Sequence, residues 1–129
     1  VASVDAARGQ VVTHGARRPT GLCAVAWAAT CARGGAGEIL LTSVEQDGAR
    51  NGYDLALTRR VAGAVTVPVI ASGGAGTAAH LLAAFREGGA DAALVAGIFH
   101  DGSVSLREIK WTLAAAGLPV RPIDEEVPA

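Results

Sequence analysis

The stretch VPVIASGGAG, residues 67–76, decides how this chain of 129 residues folds. Its first half is a short β-branched run of the kind that forms a buried strand, and it leads into a turn containing Gly73, Gly74 and Gly76. Glycines leave their backbone N–H groups unshielded, and these lie just ahead of a helix start marked by Thr77. Strand, glycine turn and helix in that order make a βα unit. Such a turn serves either to reverse the chain or to cradle an oxyanion such as phosphate.

Outward from this unit the pattern repeats. Strands are predicted over residues 1–5, 38–43, 67–72 and 92–96, and helices over 21–33, 54–64, 77–87 and 105–116. Thr20, Asp54, Thr77 and Ser105 stand where N-caps belong, Glu108 adds a capping box to the last, and Gly34, Gly88 and Gly117 mark the stops. Strands joined by crossover helices run parallel, which leaves an open doubly wound sheet or a section of a (β/α) barrel.

Strand phase discriminates between the two. Glu38, Leu40 and Thr42 share one face and Ile39 and Leu41 the other; Ile70 pairs in phase with Ser72, and Val69 with Ala71. Each strand thus offers one apolar face to the helices. The opposite face ends in polar groups, Asp5, Thr42 and Ser72, while Ala96 and Gly97 close the fourth strand. Side chains converging from several strand ends on one mouth are what a barrel site requires. A full barrel has eight strands in about 250 residues, so the expected fold class is α/β, a (βα)4 half of a TIM-type barrel. A strand at residue 1 and the absence of methionine point the same way. The alternative is a complete four-stranded open sheet with two unpaired edges. Residues 1–121 are assigned to the half-barrel and 122–129 to a loose tail.

Composition narrows the function classes. Half the residues are apolar and the net charge is −1, enough for one domain with a real core and no electrostatic footprint for nucleic acid or an anionic membrane. No apolar run approaches the roughly 20 residues that span a bilayer, and the first ten residues lack the features of a signal peptide, so a soluble cytoplasmic protein is expected. Cys23 and Cys31 fall in one predicted helix, about 12 Å apart along its axis, too far for a disulfide. They are read as buried or half-buried apolar residues. His14, His80 and His100 are dispersed and read as structural or solvated, so no metal site and no cofactor are expected. Trp27 and Trp111 are read as helix-packing residues.

Four groups carry candidate chemistry. Asp5 ends a strand ahead of a long polar loop and suits a general acid or base, or a turn aspartate. Asp47 and Gly48, within EQDGARNGYD at residues 45–54, suit substrate contacts or a surface turn. Gly73 and Gly74 in one turn, with Ala96 and Gly97 in the next, form adjacent late βα turns of the kind that build a phosphate site from backbone amides. Neither turn supplies a P-loop pattern, so nucleotide hydrolysis of that kind is unsupported. Glu38 is the fourth, a carboxylate on the inward face at the opposite end of its strand.

These residues match a family. THGARRPTG, GAGEILLTSVEQDGARNGYDLALT, VPVIASGGAG and EGGADAALVAGIFH, in this order, closely resemble the C-terminal half of the cyclase subunit of imidazole glycerol phosphate synthase, over residues 1–121. The resemblance implies a (β/α)8 barrel of which this chain supplies strands five to eight. It implies a lyase of histidine biosynthesis that joins ammonia to a bis-phosphate ribonucleotide, giving imidazole glycerol phosphate and an aminoimidazole carboxamide ribotide.

By the same resemblance Asp5 is one of two catalytic aspartates, the other lying in the absent first strand. Asp47, Gly48, Gly73, Gly74, Ala96 and Gly97 hold one phosphate, Thr42 and Ser72 contact substrate, and Glu38 belongs to a charged ring where ammonia enters. Gly97 departs from the serine found in many members, so a hydroxyl contact is lost while the amide remains. The implied partners are a glutaminase subunit and an N-terminal half-barrel, and the isolated half is expected to be nearly inactive. Two other readings stay open: the sugar-phosphate isomerase of the same pathway, and a non-catalytic phosphate-binding half-barrel that closes by self-association.

Overall fold

The computed structural model describes residues 1–122; the assignment of a loose tail therefore falls, apart from Pro122, outside the described residues. The elements in chain order are β1 (Ala2–Ala7), β2 (Gln10–Thr13), β3 (Arg18–Cys23), α1 (Ala24–Arg33), β4 (Ile39–Ser43), α2 (Leu55–Ala64), β5 (Val69–Ser72), α3 (Ala78–Arg86), β6 (Ala92–Ala93), α4 (Gly97–His100) and α5 (Leu106–Ala115). One sheet runs in the order β3-β2-β1-β4-β5-β6. Its βα strands, β1, β4, β5 and β6, are mutually parallel. Glycine-free runs of four to six residues, with buried apolar side chains at alternate positions, make β1, β4 and β5, and a crossover helix follows each before the next parallel strand begins.

Burial alternates along these strands as the phase argument requires. Val4 and Ala6, Ile39 and Leu41, and Val69 and Ala71 are buried, while Asp5, Leu40, Thr42, Ile70 and Ser72 between them are only half-buried. The buried set packs with Ala24 and Ala28 of α1, Leu57 and Val61 of α2, and Leu81 and Ala84 of α3. Helices α1, α2 and α3 therefore cover one face of the sheet. A doubly wound sheet would bury both faces; a barrel curls its helix-free face inward. This is an α/β half-barrel, in agreement with the expected fold class.

Three caps are where the sequence puts them. Asp54 Oδ1 accepts from Leu57 N at 2.9 Å, Thr77 Oγ1 from His80 N at 3.3 Å and Ser105 Oγ from Glu108 N at 3.1 Å. The fourth is a correction. The polar segment after Asp5 is a β-hairpin, so α1 begins at Ala24 with Cys23 at its N-cap position, and Thr20 lies inside β3 with its hydroxyl donating to Val11 O at 2.7 Å. Arg8 and Gly9 turn the chain between β1 and β2 with φ of +50° and +75°, the signs a type I′ turn needs, and His14, Gly15 and Ala16 turn it again before β3.

Other departures are smaller. Cys23 is exposed and outside the helix, while Cys31 is half-buried within it; both thiols are free. Trp111 is 77 % exposed and does not serve packing as expected, and Trp27 is 39 % exposed. β6 is two residues long rather than five, although Leu94 N still donates to Ala71 O at 2.8 Å, and the short helix α4 follows where only a turn was expected.

The two-faced character of β4 yields a stability test. Ile39 is fully buried against the helices, so Ile39→Ala should cost about 2–5 kcal/mol by urea denaturation. Leu40→Ala, one residue away on the open face, should cost clearly less in the same measurement.

Candidate functional site

The helix-free face carries a polar row at its C-terminal edge. In the parallel register Asp5 lies beside Thr42 and Thr42 beside Ser72, so the three side chains stand on adjacent strands of one face. With strands about 4.8 Å apart, the row spans about 10 Å. Ser3 Oγ, two residues back on the same face, donates to Asp5 Oδ1 at 3.4 Å. All three residues of the row are half-buried.

At the Ser72 end the row opens into a cleft of about 170 Å³. Asp47 and Gly48 from the segment after β4, Ser72, Gly73 and Gly74 from the turn after β5, and Ala96 and Gly97 from the end of the last βα unit all line it. The structure thus brings together all six residues singled out for phosphate from three separate loops. Among the described residues, no hydrogen bond within the chain occupies the N–H of Gly73, Gly74 or Gly97. Gly76 differs from the expectation: its N–H donates to His80 Nδ1 at 3.1 Å, which gives His80 a structural role and removes one amide from the turn's offer to a ligand.

The turn holds its shape through close backbone contacts. A Cβ on Gly74 would lie 2.0 Å from Gly52 O, and one on Gly76 would lie 2.3 Å from Arg50 O. Only glycine admits that approach, and the gap is closed by Gly52 N donating to Gly74 O at 2.8 Å. Tyr53, 6 % exposed, extends the tie by donating its hydroxyl to Leu94 O at 3.0 Å. Burial pushes that phenol up to about 12 from an ordinary value near 10.

Sequence reasoning missed Arg50, which also lines the cleft. Its Nη2 lies 2.5 Å from Asp101 Oδ2. The available signal was a cation two residues past Gly48, in a loop that already held two candidate residues. Glu38 is exposed, one residue ahead of β4, with its carbonyl accepting from Ala2 N at 2.9 Å. It therefore stands at the opposite end of the sheet from the cleft. His14 is exposed with its ring on Thr13 Oγ1, and His100 is exposed at the end of α4. No three His, Cys, Asp or Glu side chains among the described residues gather as metal ligands. No helix among them is long and apolar enough to cross a membrane.

The half-barrel, with unpaired amides, a guanidinium and a polar row that includes the Asp5 carboxylate at the C-terminal ends of its strands, has the architecture of the (β/α)-barrel class, whose small-molecule sites lie at that edge. Residues 1–105 match the model of a protein family described as "Histidine biosynthesis protein", and the chain belongs to that family. It is also similar to the imidazole glycerol phosphate synthase subunit HisF of Myxococcus xanthus (strain DK1622), 63% identical over 127 residues that cover 95% of this chain. The same alignment covers 50% of that protein, so the chain spans about half the length of this curated relative.

The Tyr53 tie can be measured directly, because the sequence holds one tyrosine. Absorbance titration should place its ionisation near 12. The neutral phenol is favoured in the folded state, so folding stability should be complete below pH 10 and decline as pH rises from about 10 towards 12. A midpoint near 10 in the folded protein would contradict the burial of this phenol.

Proposed function

We propose that this chain carries one end of the active site of an imidazole glycerol phosphate synthase cyclase. The observation that carries the reading is the convergence of Asp47, Gly48, Gly73, Gly74, Ala96 and Gly97 on one cleft beside the row of Asp5, Thr42 and Ser72. The cleft takes one phosphate of a bis-phosphate ribonucleotide through the backbone amides, which supply donors at no cost in side-chain order. Thr42 and Ser72 lie between that phosphate and Asp5, at the distance of one and two strand spacings, and contact the body of the substrate.

Ammonia joins the substrate with loss of water, the imidazole ring closes, and a carbon–nitrogen bond breaks to release the carboxamide ribotide. Each of these events needs a proton moved at a fixed point, and Asp5 is the carboxylate placed for it. The second aspartate, the second phosphate site and the remaining strands belong to an N-terminal half-barrel. The half-buried Leu40 and Ile70 on the open face support such a cover. Glu38, at the other end of the sheet, meets ammonia delivered by a second, glutaminase subunit. The similarity to a synthase subunit supports the cyclase over the pathway's isomerase. A water-filled cytoplasmic setting suits this chemistry.

The test is reconstitution. The chain alone should show almost no ammonia-dependent turnover, and mixing it with a matching N-terminal half should restore it. In the reconstituted enzyme Asp5→Asn should lower kcat by at least about 100-fold, the low end of what a positioned acid or base contributes. Undiminished turnover by that variant would remove Asp5 from the mechanism, and full activity in the lone chain would overturn the reading.

A further inference from the structure

The cleft's electrostatics are unbalanced for its proposed ligand. A phosphate monoester brings a charge of roughly −1.5 to −2 at pH 7. Among the cleft's lining residues Asp47 is acidic, Arg50 is basic and the others are neutral. The amides can donate hydrogen bonds, yet they carry no net charge to offset either Asp47 or the ligand. Among the described residues Arg50 is thus the lining side chain that can.

Its placement is built rather than incidental. Arg50 has a φ of +56°, an uncommon value outside glycine, and its carbonyl oxygen lies 2.3 Å from where a Cβ on Gly76 would be, so its backbone is packed against the turn after β5. From there the guanidinium crosses to the opposite wall: Nη2 passes 3.9 Å from the position of a Cβ on Gly97. It ends on Asp101, just past α4. Asp101 is itself fixed, accepting from Ser103 N at 3.0 Å and from the Ser103 hydroxyl. Asp101 does not line the cleft, so its carboxylate draws the guanidinium to the rim without adding charge inside.

Resting on the reading of the cleft as a phosphate site, we propose that Arg50 is the side chain that binds the phosphate, and that Asp101 is its resting partner, which phosphate must displace. Asp101 holds the guanidinium over the Gly97 end of the cleft until phosphate replaces it as partner. The exchange runs in the ligand's favour. Both members of the Arg50–Asp101 pair are substantially exposed, with side chains 48 % and 39 % accessible, and exposed ion pairs are weak. A guanidinium meets phosphate with two parallel N–H donors, a stronger and more directional contact. The hydrogen bonds from Ser103, followed by that from Arg50, keep the Asp101 carboxyl well below the usual carboxylate range, at about 2, so the partner it offers Arg50 is ionised at neutral pH.

This scheme makes two substitutions act in opposite directions. If Arg50 and Asp101 only tied two loops together, breaking either end would loosen the cleft and weaken binding alike. If they act as proposed, Arg50→Gln removes the ligand's counter-charge, whereas Asp101→Asn removes its competitor. The probe is inorganic phosphate, titrated into the full chain while the amide NMR signals of Gly73, Gly74 and Gly97 are followed. Thermal unfolding of each variant checks that it is folded.

Wild type should saturate with those three amides shifting. R50Q should raise Kd roughly tenfold or more, the size of a lost charge-assisted contact. R50K should recover part of the loss, because a point charge replaces the fork. D101N should lower Kd by roughly threefold, the modest strength of an exposed ion pair. Saturable binding with R50Q unchanged, or with D101N weakened in step with R50Q, would overturn the inference and leave the phosphate reading standing. Wild type that shows no phosphate-dependent shift at these amides would overturn both.

Discussion

The candidate site depends on one close approach, the contact of the Gly74 backbone with that of Gly52. The hydrogen bond between them is 2.8 Å long, and it forms only because a Cβ on Gly74, which would fall 2.0 Å from the Gly52 carbonyl oxygen, is absent. That contact seats the segment after β4 on the turn after β5. Tyr53 then reaches Leu94 and Arg50 reaches Asp101, so a third loop is tied to the other two. The cleft is the space these three leave between them. The glycines therefore have two duties: they let backbones touch, and they leave amides bare. A substitution at Gly74 would lose the first before the second could be assessed.

The sheet divides its labour by face and by end. One face is given wholly to helix packing by Val4, Ile39, Leu41 and Val69, which need only be apolar and well filled. The other keeps Asp5, Thr42 and Ser72 in register, where parallel pairing sets their spacing without help from side-chain contacts. Polar groups gather at the C-terminal edge because the loops there are connected to helices that start nearby, and their amides point back at the edge. Glu38 lies at the other end, beyond reach of this chemistry. The proposed catalytic and entry roles are thereby separated by the length of a strand.

Electrostatically the cleft is poised rather than strongly positive. Asp47 and Arg50 share its lining, and Arg50 already has a carboxylate partner outside it. The anion proposed for this site would meet directed donors and one cation, and a net charge of −1 gives no long-range attraction for polyanions.

The amino-acid sequence by itself determined the order of the βα elements, the phase of β4 and β5 and three of four helix caps. These rest on short-range rules: periodicity of two or 3.6, and a side-chain oxygen within reach of an amide three residues on. It also placed the six cleft residues on the right loops, although their role came from a family resemblance. The hairpin of β2 and β3 was not legible, since β3 is exposed along its whole length and a register shift puts Val11 and Val12 both inside, so neither strand alternates. The pairing of Arg50 with Asp101, the occupied amide of Gly76 and the exposure of Trp111 were equally out of reach. Each depends on which atoms of distant segments come within a few ångströms, and no local pattern encodes a distance between two loops. Only the tertiary structure decided that Arg50 crosses the cleft to Asp101, because that pairing exists solely where the folded sheet sets the segment after β4 against the end of the last βα unit.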